Sequence, residues 1–351
     1  MNLHPVFKML LAITGIAAYT LAPAQTLPLQ WDRDAAMAAV RSVDIDAAVY
    51  EIGDITSLSD AVITLNKLQA LETRRDWPLP AREAALFQFT RSLSDLPRDA
   101  VATEVMQHLG AYQARTLVPH EDHGEAFVPM FNIRGAAAGI ENGWQRAEFA
   151  TEAFALLEKD PEELVSSYVK STHRNQRSGY LDTLRQAELS DVVAVQNIAL
   201  TRLGEAPELT GILGVTAAIT ADTVAIQQLL TSGRGAGLSS ALVQLEEQLP
   251  LPGIASLLVF AIQQAPVGNA ALAIAAWWPR LSHDPEIRDL MVATLSDPAL
   301  GASAALALAQ NPDIQTIRVL QETARSESIA AKRAQMALDI NRSGLAPGVR
   351  P

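Results

Sequence analysis

The fold is decided by HDPEIRDLMVATLSDPALGASAALALAQNPDIQTIRVL, residues 283–320. Within it Asp284-Pro285, Asp297-Pro298 and Asn311-Pro312 recur 13 and 14 residues apart. Asp or Asn at an N-cap accepts a hydrogen bond from a free first-turn amide, and Pro at the first helical position has no N–H to leave unpaired. Each pair therefore predicts a helix start. Three short apolar runs follow: Ile287, Leu290, Met291 and Leu295; then Ala304, Ala305, Leu306 and Leu308; then Ile314, Ile317, Val319 and Leu320. Isolated helices of about ten residues are marginal in water, so these must bury their apolar faces against one another. Ala305 and Leu306 both fall on the expected stacking face.

The same pattern extends outward to residues 190–341, which read as about ten short helices, two to a unit, with a period of about 27 to 30 residues. Pro207, Asp222, a glycine-rich loop at 233–237, Pro252, Pro266 and Ser326 supply the remaining breaks. The runs Ala302-Ser303-Ala304-Ala305-Leu306-Ala307-Leu308 and Ala330-Ala331-Lys332-Arg333-Ala334-Gln335-Met336-Ala337-Leu338 resemble second helices of HEAT repeats, where small residues let neighbouring helices approach. The resemblance to HEAT-like, armadillo-type repeat proteins is structural and covers mainly 190–341. It implies an all-α fold, a right-handed α-solenoid of short antiparallel helix pairs, and a curved surface for binding or scaffolding rather than a reaction.

Helices are also expected over 32–41, 45–50, 81–93 and 98–116, with a longer one capped by Ser57 or Ser59 and closed by Trp77-Pro78-Leu79-Pro80. Further along, a helix over 125–140 is expected to stop at Glu141-Asn142-Gly143, with others over 144–157 and 179–189 and a polar connector at 170–177. A short extended lead is expected over 27–30, and strand signals are otherwise almost absent, with no run of alternating β-branched residues between hairpin turns. The resulting organisation is a signal peptide (1–24), an N-terminal helical region (25–189), HEAT-like repeats (190–341) and a disordered tail (342–351).

Hydrophobic residues make up 49% of the chain but aromatics only 5%, so Ala, Leu, Val and Ile must build the core. Lys8, the apolar run 9–21 and Ala22-Pro23-Ala24 predict a secretory signal cut after Ala24. With no Cys, disulfides, thiolate metal sites and a lipoprotein anchor are excluded. A periplasmic or secreted protein of the bacterial envelope is the expected class. Removing Lys8 with the signal takes the net charge from -12 to -13, a surface that repels nucleic acid. No charge occurs between Glu247 and Arg280, but Pro252 and Pro266 divide that stretch into helices shorter than the roughly 20 residues of a bilayer span. It reads as a buried helix pair, with Trp277 and Trp278 as a candidate exposed docking patch.

Two clusters carry chemical interest. His120, Glu121, Asp122 and His123 are potential ligands for a divalent metal such as zinc, since imidazole and carboxylate suit such ions. The competing reading places Glu121 and Asp122 in the first turn of a helix, where its dipole favours them. Asn132, Arg134, Asn142 and Trp144 offer polar groups beside aromatics, a pattern suited to a peptide or small ligand. Ser167 and Lys170 have the Ser-x-x-Lys spacing of some serine enzymes, but neither Ser-Asp-Asn nor Lys-Thr-Gly occurs. The leading expectation is a non-catalytic binding or scaffold protein with a protein or peptide partner in the envelope and no cofactor. The alternative is a metal-dependent enzyme or metal-binding protein acting through His120–His123.

Overall fold

The computed structural model describes residues 29–53, 58, 60–122, 125–310 and 312–343. The expected signal peptide lies outside the described residues, as do Ser57, Ser59, His123, Asn311 and 344–351. The chain forms two compact units that divide between Glu141 and Asn142. The boundary expected at 189/190 falls inside the second.

The first unit holds α1 (Arg33–Arg41), α2 (Ile45–Ile52), α3 (Ala61–Thr73), α4 (Leu79–Ser92) and α5 (Ala100–Ala111). Asp32, Asp44, Asp60 and Asp99 cap α1, α2, α3 and α5, each accepting from the amide three residues on. The central helix is α4, which packs on α1, α2 and α3 and buries Ala85, Leu86 and Phe89 completely. Beside it lies a small sheet, β1 (Leu29–Gln30), β2 (Thr116–Pro119) and β3 (Phe127–Pro129), in the order β1-β2-β3. The first pair is parallel and the second antiparallel, with Val118 opposite Val128.

This sheet goes beyond the short extended lead expected over 27–30. Its strands are two to four residues long, too short to display alternation. The helix expected over 98–116 ends at Ala111, and 116–119 turns into β2. Nor does a helix begin at 125. Pro129 has no amide for a helical ladder and sits at the end of β3 instead. The next helix, α6 (Ile133–Lys159), starts where Asn132 Oδ1 accepts from the Gly135 amide at 2.9 Å. It then runs through Glu141-Asn142-Gly143 without stopping.

The second unit continues with α7 (Pro161–Lys170), α8 (Arg174–Gln186), α9 (Leu189–Arg202), α10 (Thr210–Thr220), α11 (Thr223–Ser232) and α12 (Gly235–Gln248). It ends with α13 (Leu251–Gln264), α14 (Val267–Leu281), α15 (Pro285–Thr294), α16 (Gly301–Gln310), α17 (Ile314–Thr323) and α18 (Ile329–Arg342). These helices form two rows. In one, α8, α10, α12, α14, α16 and α18 pack successively on each other; in the other, α7, α9, α11, α13, α15 and α17 do the same. One continuous core runs between them, from Ala153 to Leu338.

Small residues set the spacing within the first row. A side chain at Gly214 of α10 would collide with Ala241 of α12, so the missing Cβ is what lets these helices touch. Polar side chains tie helices to one another at backbone carbonyls, within a row at Trp277 and between rows at Asn269. Trp277 Nε1 donates to Leu242 O at 3.0 Å, and Asn269 Nδ2 donates to Leu230 O at 2.8 Å and Gly233 O at 3.0 Å, capping the end of α11. Both Trp277 and Trp278 are fully buried, which overturns the exposed patch expected there. The charge-free stretch is α13 and α14, and among the described residues no helix is long and apolar enough to cross a membrane.

The proline-marked starts are partly displaced. Asp284 caps α15 as expected, and Asp160 caps α7 in the same way. Asp297 accepts from Ala299 and Leu300, both at 2.8 Å, one turn ahead of α16. It is Asp313 that caps α17, accepting from Thr316 at 2.6 Å. Successive helices of the α8 row start 25 to 36 residues apart, a wider spread than the expected period. The glycine-rich 233–237 segment is mostly helix, because Gly235, at a φ of 66°, opens α12.

Candidate functional site

One concave surface of the first unit is a groove of about 560 Å³ beside α1, α2 and α4. The sequence builds it locally. Ala84, Phe87, Gln88 and Arg91 lie at helical spacing along one face of α4, turned away from the fully buried Ala85, Leu86 and Phe89. Val40 at the end of α1 and Ile45 at the start of α2 complete the apolar floor, and Phe131 closes one end. Phe131 and Phe87 have ring centroids 6.1 Å apart at 49°, and the Arg91 guanidinium stands 6.0 Å above the Phe87 ring. The rim is polar: Gln88 Nε2 donates to Asp46 Oδ1 at 2.5 Å, and Ser92 lies next to Arg91. At this volume the groove falls in the range of ligand clefts, roughly 300 to 1,000 Å³.

The four residues expected to bind a ligand are distributed differently. Asn132 and Arg134 open α6 in the first unit, the former occupied as its cap and the latter exposed. Asn142 and Trp144 belong to the second unit. There Asn142 Oδ1 accepts from Asn175 Nδ2 at 2.8 Å, an amide that also reaches Gln145 at 3.1 Å, while Trp144 is buried. Asn142 thus fastens α6 to α8. Asn132's neighbour Phe131, rather than Asn132 itself, reaches the groove.

His120, Glu121 and Asp122 lie in the turn between β2 and β3, not at a helix start. The His120 amide donates to Ala126 O at 2.8 Å, closing the hairpin, and His120 Nδ1 accepts from the Asp122 amide at 3.1 Å. Glu121 pairs with Arg33 at 3.2 Å. Among the described residues no three or more His, Asp or Glu side chains are grouped to hold a metal ion. His123 is outside that description.

A polar cluster that the sequence did not announce sits behind β2. Glu83 is fully buried on α4 and accepts from the amides of Arg115 at 2.7 Å and Thr116 at 2.9 Å and from the Tyr112 hydroxyl at 3.1 Å. Burial, reinforced by the Glu83 charge, pushes the Tyr112 hydroxyl far above its ordinary pKa. Nearby, His108 Nε2 lies 2.8 Å from Glu72 Oε1, and this hydrogen bond raises the His108 pKa against the opposing effect of burial. Two of Glu83's three donors are backbone amides at the start of β2, so the carboxylate holds that strand to α4.

Phe87 and Arg91 were not singled out in the sequence beyond the helix expected over 81–93. The signal available was an aromatic residue and a cation four positions apart on the opposite face. Comparison of the chain with protein-family models, with curated proteins and with solved structures finds no match.

Proposed function

We propose that this protein is a non-catalytic binding or scaffold protein of the bacterial envelope that engages a protein or peptide partner through its helical surfaces. The observation that carries this reading is the groove on α4, where an apolar floor of Val40, Ile45, Ala84, Phe87 and Phe131 lies under a polar rim. The two-row stacking of the second unit supports its assignment as a HEAT-like, right-handed α-solenoid. Arrays of that kind present extended surfaces suited to partners rather than enclosed reaction sites. Export by cleavage after Ala24 would deliver the acidic mature chain to the periplasm or the medium.

In-cell photocrosslinking tests the reading. Photoreactive residues replace Gln88 at the groove rim and, separately, Leu272, an exposed residue of α14. A discrete envelope protein captured at Gln88 is the expected result. A folded, exported protein that captures nothing at either position would overturn the scaffold role.

A further inference from the structure

The groove is apolar below but cationic at its edge. Arg91 is exposed and makes no ion pair with any described residue, its one close partner being the Phe87 ring. The carboxylates on the adjoining helix are held by neutral amide donors and keep their charge. Asp44 accepts from the Ala47 amide at 3.0 Å as the cap of α2, and Asp46 accepts from Gln88. In a chain of net charge -12, Arg91 is an unpaired guanidinium at the rim of an apolar groove.

Resting on the binding role proposed above, we infer that the groove takes a short segment of a partner protein that carries a large apolar side chain next to a carboxylate. The apolar side chain lies on Phe87 and Phe131 above Val40 and Ile45. The carboxylate meets Arg91, whose planar fork suits two-point contact with it. Arg91 is held in place by stacking on Phe87, so little of its side-chain freedom is lost on binding. A lysine-flanked segment would bring like charge to the same rim.

Fluorescence anisotropy on the purified protein tests this with two labelled hexapeptides, Ser-Asp-Leu-Phe-Asp-Ser and Ser-Lys-Leu-Phe-Lys-Ser. The acidic probe is expected to bind at least about tenfold more tightly, and Arg91→Glu to remove or reverse that preference with unchanged circular dichroism and melting. Arg91→Lys should retain the preference in weakened form. Equal affinities, a preference for the lysine probe, indifference to Arg91→Glu, or no binding of the acidic probe at about 1 mM would each overturn the inference. Concentration-dependent dimerisation abolished by Arg91→Glu would also overturn it, because the occupant would then be a second copy of this chain. The two readings fail separately: a protein crosslinked at Gln88 with no charge preference removes only the inference, and a charge preference without a crosslinked protein removes only the scaffold role.

Discussion

Arg333 Nη1 donates to the Leu295 carbonyl at 2.8 Å, joining α18 to the turn that follows α15. The same nitrogen reaches Asp297 O at 2.6 Å, and Nη2 reaches Pro298 O at 3.3 Å. One guanidinium thus reaches three carbonyls of this turn, of which Asp297 O also accepts from the Gly301 amide at 3.0 Å. Asn269 does the same for Leu230 and Gly233 one stretch earlier, so carbonyl capture from the α8 row recurs along the second unit.

Replacing Arg333 with Met keeps most of the apolar stem and removes the donors. Hydrogen bonds from a charged group contribute about 1.5 to 3 kcal/mol, and partial exposure of the turn places the expected loss near 2 kcal/mol. Urea unfolding followed by circular dichroism measures it, with Lys332→Met on the exposed side of α18 as the control. Equal midpoints for the two variants would mean that the contact contributes nothing.

Ala305 and Leu306 are neighbours with opposite fates. Ala305 is fully buried between rows, whereas Leu306 is 41% exposed. Ala305→Asp buries an unpaired charge and is expected to unfold the C-terminal end of the second unit, while Leu306→Asp should shift stability by less than about 0.5 kcal/mol. Thermal melting of the two variants decides it, and similar losses from both would refute the assigned faces.

That pair shows what the sequence made legible. The capping aspartate at 284 announced a short helix because its chemistry is local, acting within three residues of the cap, and Asp297 marked a turn ahead of α16. Among α9 to α18, the helices α11, α15, α17 and α18 begin at such side-chain caps. Which side of α16 is buried depends on α14 and α18, and a run as uniformly apolar as 301–309 carries no periodicity to mark it. Strand β2 was invisible for a related reason: Glu83 fixes it from 33 residues away, and that pairing leaves no trace in the local sequence. The groove was half legible. The segment around Phe131 stood out, but its partners on α4 lie 39 to 47 residues earlier.

His108 gives the first unit a dependence on pH. Its hydrogen bond to Glu72 holds the folded pKa above the ordinary value of about 6.5. The stabilisation is therefore fully present below about pH 6.5 and is lost as pH rises through the elevated folded pKa. The wild-type advantage over His108→Gln, read as a difference in melting temperature, should be largest near pH 6 and shrink towards pH 9. A difference that stays constant or grows with pH would contradict the assignment.

Gly143 decides between a helix stop and a continuous α6. It lies inside the helix, and a Cβ added there would meet no atom within 4 Å. Flanking contacts hold the backbone helical despite the glycine: Asn142 bonds to Asn175, and Trp144 is buried. Glycine in a helix interior is less favourable than alanine by about 1 kcal/mol, largely through the freedom of the unfolded chain. Gly143→Ala should therefore stabilise the protein by about 0.4 to 1 kcal/mol, visible as a raised urea midpoint with an unchanged slope. If Gly143 ended a helix in a left-handed turn, as the Glu141-Asn142-Gly143 sequence suggests, alanine would be strained there and the midpoint would fall.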